Sequence, residues 1–385
     1  MAHAFRPRLR GERLEDKAML AGDVTVEVVE GNLSIVGDEL GNQIVLRAGD
    51  EPGQWIVRGM PDAAGVPTTV NGQSDPLVVE GVEDHIRINL GAGDDRLVVR
   101  EGRVPGVLAI NLGEGNDHLQ LGQREDSTPT PEESASVSVH DSEDESEDDD
   151  PATRPVLSVG DGLLVRGGAG DDEIHLASVQ VGGFTRVYAG LGNDIVRLGQ
   201  PDVAPAASSE NAAAITDDGA NTGEDSAPAQ VRVRGNMAIH LGEGNDRLGL
   251  WHTRAGHGLQ VHGGLGDDQI GLHALHTPFL AVDAGEGSDN VQLSEVAARL
   301  AGVITGAGAD EVRIVDSVFG LLDVQLGEGQ DQLAVGGTTV HHGARFNGGP
   351  GRDTYRPGSN NRFRRVSVVN FELREEQPEA PASLT

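Results

Sequence analysis

A five-residue loop, Gly-x-Gly-x-Asp, occurs ten times in this chain of 385 residues, ending at Asp95, Asp117, Asp172, Asp194, Asp246, Asp268, Asp289, Asp310, Asp331 and Asp353. Successive aspartates stand 22, 55, 22, 52, 22, 21, 21, 21 and 22 residues apart. So constant a period points to a solenoid, in which each repeat forms one coil and buries its apolar side against its neighbours. The two long gaps equal one period plus inserts of 33 and 30 residues, and both inserts follow Leu-Gly-Gln, at 121–123 and at 198–200. Insertion therefore enters the coil on one face.

Around each loop the apolar residues alternate, the signature of strands with one buried face. Ile86, Ile88 and Leu90 precede the first loop, Leu108, Ile110 and Leu112 the second, and Met237, Ile239 and Leu241 a later one. Two residues after each aspartate stand Leu97, Leu119, Ile174, Val196, Leu248, Ile270, Val291, Val312, Leu333 and Tyr355. With 37% hydrophobic residues in the chain, ten hits in ten would arise by chance about once in twenty thousand. A strand, a glycine turn, a second strand and a further segment in each 21–22 residues predict an all-β fold. That fold is a parallel β-helix or β-roll solenoid, its coils about 4.8 Å apart and its loops stacked along one edge.

On this pattern residues 1–22 form a leading segment, 23–80 an N-terminal β cap over the first coil, 81–371 the solenoid and 372–385 an acidic tail. The inserts, at about 123–155 and 200–229, are rich in Glu, Asp, Ser and Pro or in Ala, Asp, Asn and Ser. Such sequences bury too little apolar surface to order themselves and are expected to be mobile loops.

Composition narrows the partners. The formal net charge of -33 disfavours nucleic acid and anionic membrane surfaces, whose phosphates reward clustered Lys and Arg. There are no cysteines, which removes disulfides and thiolate metal sites. No run approaches the roughly 20 apolar residues of a transmembrane helix, and the start lacks an ordinary apolar signal stretch. Cations are the expected partners.

Stacking sets one carboxylate per coil about 5 Å from the next, and at an effective dielectric of 20 each neighbouring pair repels by roughly 3 kcal/mol. The column calls for a counter-ion, a raised pKa or outward splaying. Calcium suits it, because that ion takes six to eight oxygen ligands in flexible geometry, and adjacent loops offer carboxylates and glycine carbonyls from two sides. Six loops carry Asp or Asn before the final aspartate: Asp94, Asn116, Asp171, Asn193, Asn245 and Asp267. The candidate metal ligands are thus the ten loop aspartates with Asp94, Asp171 and Asp267. Ser288, Ala309, Gln330 and Arg352 replace that residue in the last four loops, and metal binding is expected to weaken there.

These loops resemble the haemolysin-type calcium-binding repeat, Gly-Gly-x-Gly-x-Asp-x-apolar-x. The resemblance covers most of residues 86–357 and implies a parallel β-roll, calcium held between stacked turns, and export from the cell. Two departures stand out: the double glycine occurs only at Gly167, Gly263 and Gly348 with their following glycines, and the motif returns every 22 residues instead of every nine. The first segment resembles the N-terminal export or sorting segment of planctomycete surface proteins, matching at Leu14, Glu15, Asp16, Met19 and Leu20, with Lys17 where that segment has Arg. It implies an extracellular or cell-surface location.

The expected function is a calcium-binding, non-enzymatic structural or adhesion scaffold, with cell-surface or matrix polysaccharide or protein as further partners. Two alternatives stand beside it. A metal-free solenoid would have each aspartate accept backbone N–H groups in its own turn. A β-helix enzyme, a polysaccharide lyase or epimerase, would need convergent acid, base and cation beside aromatic platforms, whereas Trp55, Trp251, Tyr188, Tyr355 and seven Phe are scattered. His240 and His262 fall on one outward position of adjacent coils, where a ladder of exposed polar rings is expected rather than a transition-metal site.

Overall fold

The structure, a computed structural model, describes residues 22–62, 65–122, 157–199 and 231–374. Among them every regular element is a strand. The leading segment, both inserts and most of the acidic tail lie outside the described residues.

Each coil runs through a long strand, the Gly-x-Gly-x-Asp turn, a post-aspartate strand and, after a second corner, a further stretch leading to the next coil. In one coil these are Gly162–Ala169, the turn, Glu173–Leu176 and Val179–Val181. Pairing between coils is parallel and, apart from one register shift between Phe319 and Leu321, in register: Leu163 lies beside Thr185 and Leu108, and Ile174 beside Val196 and Leu119. The result is a parallel β-solenoid of about ten turns. Its long and short strands make a 22-stranded sheet, and the post-aspartate strands lie in a 14-stranded one.

The core is one continuous aliphatic column between the sheets. All ten residues placed two after the aspartates are buried, from Leu97 to Tyr355. Antiparallel pairing between named strands is confined to the start, where Asp23–Val29 pairs with Asn32–Val36, and Gln43–Ala48, Trp55–Gly59 and Leu77–Val79 form a second meander. Trp55 is buried there, and a Cβ on Gly102 would collide with its ring at 2.5 Å.

The second corner turns through a left-handed residue in six coils: Ser178, His252, Ala274, Glu295, Asp316 and Gly337, with φ between 47° and 62°. Both inserts leave the coil at this corner, directly after Gly122 and Gly199. Both insertions thus enter the coil at one and the same corner.

Candidate metal centre

The glycine turn brings coils very close. Gly244 has φ 135°, and a Cβ there would stand 1.8 Å from the carbonyl oxygen of Gly192 in the preceding coil. Only glycine allows this approach, and it draws the following aspartate beneath the backbone of its neighbour.

All ten loop aspartates are buried, none more than 2% exposed. Instead of splaying outward, each turns one carboxylate oxygen back along the rod. The N–H of Asp95 donates to Asp117 Oδ1 at 2.8 Å, that of Asp117 to Asp172 Oδ1 at 2.9 Å, and that of Asp172 to Asp194 Oδ1 at 2.8 Å. The series continues through Asp246, Asp268, Asp289, Asp310 and Asp331 to Asp353. Its ends are closed by residues the motif does not reveal: Asn42 N–H donates to Asp95 Oδ1 at 2.6 Å, and Asp353 N–H donates to Glu372 Oε2 at 2.7 Å. The aspartates accept from the neighbouring coil, and not within their own turn as the metal-free alternative supposes.

The second oxygen, Oδ2, of every one of the ten is buried without a hydrogen-bond partner. An ionised oxygen in that position is costly. Burial therefore pushes these carboxyls upward, opposed by the backbone N–H bond and reinforced by neighbouring carboxylates. Asp172 rises to about 8, Asp95 and Asp268 to about 7, and Asp117, Asp194, Asp289 and Asp331 to about 6. Asp246, Asp310 and Asp353 shift in the same direction.

Asp94, Asp171 and Asp267 lie elsewhere. With Asn116, Asn193 and Asn245 they form a second, exposed ladder of opposite polarity. Asn116 N–H donates to Asp94 Oδ1, Asp171 N–H to Asn116 Oδ1, and so on to Ser288 N–H on Asp267 Oδ1, at 2.7–2.9 Å. This ladder stops where Ser288 and Ala309 replace the Asp or Asn acceptor. A short carboxamide or carboxylate before the loop aspartate thus has a backbone role in every coil that carries one.

The fit to calcium differs between coils. In three coils the residue five before the loop aspartate is a glycine whose backbone faces the Oδ2 atom. Where that residue is Gly167, the position of the missing Cβ lies 2.3 Å from Asp172 Oδ2 and 2.4 Å from the Ala189 carbonyl oxygen. Gly263 is similarly placed between Asp268 Oδ2 and Ala284 O, and Gly348 between Asp353 Oδ2 and Asn370 O. A free carboxylate oxygen and a carbonyl oxygen converge there on the glycine backbone, closer than any Cβ would tolerate. Leu90, Leu112, Leu241 and Leu326 stand at the same repeat position in other coils and are wholly buried. Among the described residues no group of three or more His, Asp or Glu side chains is arranged to hold a metal, and any cation in the column would take backbone carbonyls as most of its ligands.

The post-aspartate sheet carries a cluster with no counterpart in the repeat motif. Glu173 contacts His118 Nδ1 at 3.2 Å, His175 Nε2 at 3.0 Å and Arg197 NH1 at 2.8 Å. Arg197 NH1 also approaches His175 Nε2 at 2.7 Å. The guanidinium fills the place between imidazole and carboxylate that a metal would need, which makes this a half-exposed ion-pair network. On the long-strand face Tyr188, His240 and His262 stack as parallel rings, with centroids 4.9 and 4.8 Å apart. No helix of the described residues is long and apolar enough to cross a membrane. No protein-family model matches the chain, and no curated protein matches it.

Proposed function

We propose that this protein is a non-catalytic scaffold displayed outside the cell, a stiff acidic rod whose inner aspartate column is neutralised by calcium where carboxylate and carbonyl oxygens converge. The observation that carries the reading is the row of ten buried Oδ2 atoms without partners. A column of carboxylates in apolar surroundings demands positive charge or protons. Asp172, Asp268 and Asp353, beside the three bare glycine positions, are the proposed calcium-binding coils, with Ala189, Ala284 and Asn370 supplying carbonyl oxygens. Arg352 adjoins the last of these and weakens it. The likeness of the loops to haemolysin-type repeats, and of the first segment to an export signal, supports both calcium and the extracellular location.

A second reading has its own support. The Oδ1 ladder is continuous from Asn42 to Glu372 without a metal, and four coils carry a buried leucine where the three proposed calcium coils have glycine. In those coils the column is held by protons and hydrogen bonds alone.

Calorimetric titration with calcium after chelation, with magnesium as the control and circular dichroism as a record of folding, tests the proposal. Calcium-specific binding is expected, with Asp172→Asn removing stoichiometry and Asp331→Asn leaving it unchanged. Absence of calcium-specific binding to a folded chain would leave the metal-free scaffold; equal loss in both variants would refute the role of the glycine positions.

A further inference from the structure

One register column on the outer face of the long strands runs Arg186, Ala238, Gln260, Ala281, Gly302, Asp323, Arg345. Its six steps of about 4.8 Å make a path of about 29 Å across the coils. Small residues in its middle keep the floor low, and a Cβ added at Gly302 would meet nothing within 4 Å. Along one side Phe279, Leu300 and Leu321 form a ridge in register, 52%, 41% and 44% exposed. Tyr188 and His240 stand on the other side as stacked rings. Together they border an open groove of 1140 Å³.

The groove is electrically unlike the rest of the molecule. Against a net charge of -33, one end carries Arg166 over the Tyr188 ring and Arg186 over the Phe184 ring. The other end carries Arg345, which stands beside Asp323 in register. None of these three arginines forms an ion pair among the described residues. Of the Asp323 carboxylate, Oδ2 accepts from Gln325 Nε2 at 3.2 Å and Oδ1 has no partner.

We propose that this groove binds an extended acidic polysaccharide, one whose sugars carry carboxylates. The apolar ridge with its exposed Phe279 ring suits the C–H faces of sugars, and the Gln260 amide and the edges of the stacked rings suit their hydroxyls. Free guanidinium groups pair carboxylates in bidentate fashion. An apolar partner surface would use the ridge but would leave the arginines unmatched, so the glycan accounts for both features. The proposal deepens the scaffold reading by naming what the rod holds, and rests on it only in needing a folded solenoid; it does not depend on calcium.

The test is calorimetric binding of linear galacturonic acid hexamers to the full chain at moderate salt, with neutral glucose hexamers as the comparison. Saturable binding of the acidic hexamer is expected, weakened about tenfold or more by Arg186→Ala with Arg345→Ala, and likewise by Leu300→Asp. Neutral hexamers should bind at least about tenfold more weakly. No binding of the acidic hexamer, equal binding of the neutral one, or indifference to these variants would overturn the proposal. So would sedimentation showing a dimer that Leu300→Asp dissolves, since the face would then be a contact between copies. Circular dichroism of each sample separates the two failures: a chain that has lost its β signal reports on the solenoid and its neutralisation, whereas a folded chain that fails to bind reports on the groove.

Discussion

At Asp172, burial and the carboxylates of Asp117 and Asp194 together lift the carboxyl from 3.8 to about 8. The folded chain then holds more protons than the unfolded one between those values. Its stability is fully present at the acid end and is lost as pH rises through the folded-state value. The other nine shift the same way. In chelator, therefore, the melting temperature should fall between about pH 5 and about pH 8, and calcium should restore it at the alkaline end while changing little at the acid end. Asp172→Asn keeps the Oδ1 acceptor for Asp117 N–H and removes one titrating charge, so it should raise the metal-free melting temperature at about pH 8. A melting temperature that rises with pH in chelator would contradict the buried column. The aspartates themselves are legible in the sequence because their spacing is constant. Their inward turn is not, since the same spacing serves a splayed column equally well; what decides it is the closeness of coils at Gly244 and its equivalents. Asn42 and Glu372 stayed hidden because each closes the ladder from outside the motif, in LGNQI and NFELR.

At the scale of the coil, the two corners obey different rules. The glycine corner admits no Cβ at its two glycine positions, and Gly244→Ala, which drives that atom into the Gly192 carbonyl, should prevent folding or cost more than about 4 kcal/mol, measurable by denaturant titration. The second corner needs only one left-handed residue, a conformation that costs a non-glycine roughly 1 kcal/mol and that the surrounding strands impose. Ala274, with φ 50°, is such a residue, and Ala274→Gly should stabilise the chain by about 0.5–1 kcal/mol. An unchanged or lowered stability would show that the corner is unstrained. This contrast explains what the sequence displays. A corner that excludes side chains at two fixed positions leaves ten matching loops, whereas one that tolerates Ser178, His252, Ala274, Glu295 and Asp316 leaves no consensus, and its place is marked only by where the inserts begin.

For the molecule as a whole, the parallel β-solenoid was readable from period and alternation, because a coil that repeats every 21–22 residues has few other ways to bury its apolar side. The groove was not readable. Phe279, Leu300 and Leu321 are spaced as any outward residues are, and only the register that stacks Arg186 over six further coils shows them to share a border with a cationic end. The even period also gives the rod a mechanical character. Each coil is held by its neighbours alone, so tension applied to the two ends should peel the chain coil by coil. Every 21–22 residue coil would release about 75 Å of contour, while the two that include inserts, 55 and 52 residues from aspartate to aspartate, would release about 180 Å. A force–extension trace should therefore read as a ruler with two long intervals, and a single cooperative rupture would show the coils to be coupled over a longer range. Under load, a rod that yields in such instalments would absorb a pull at one end before its far end lets go.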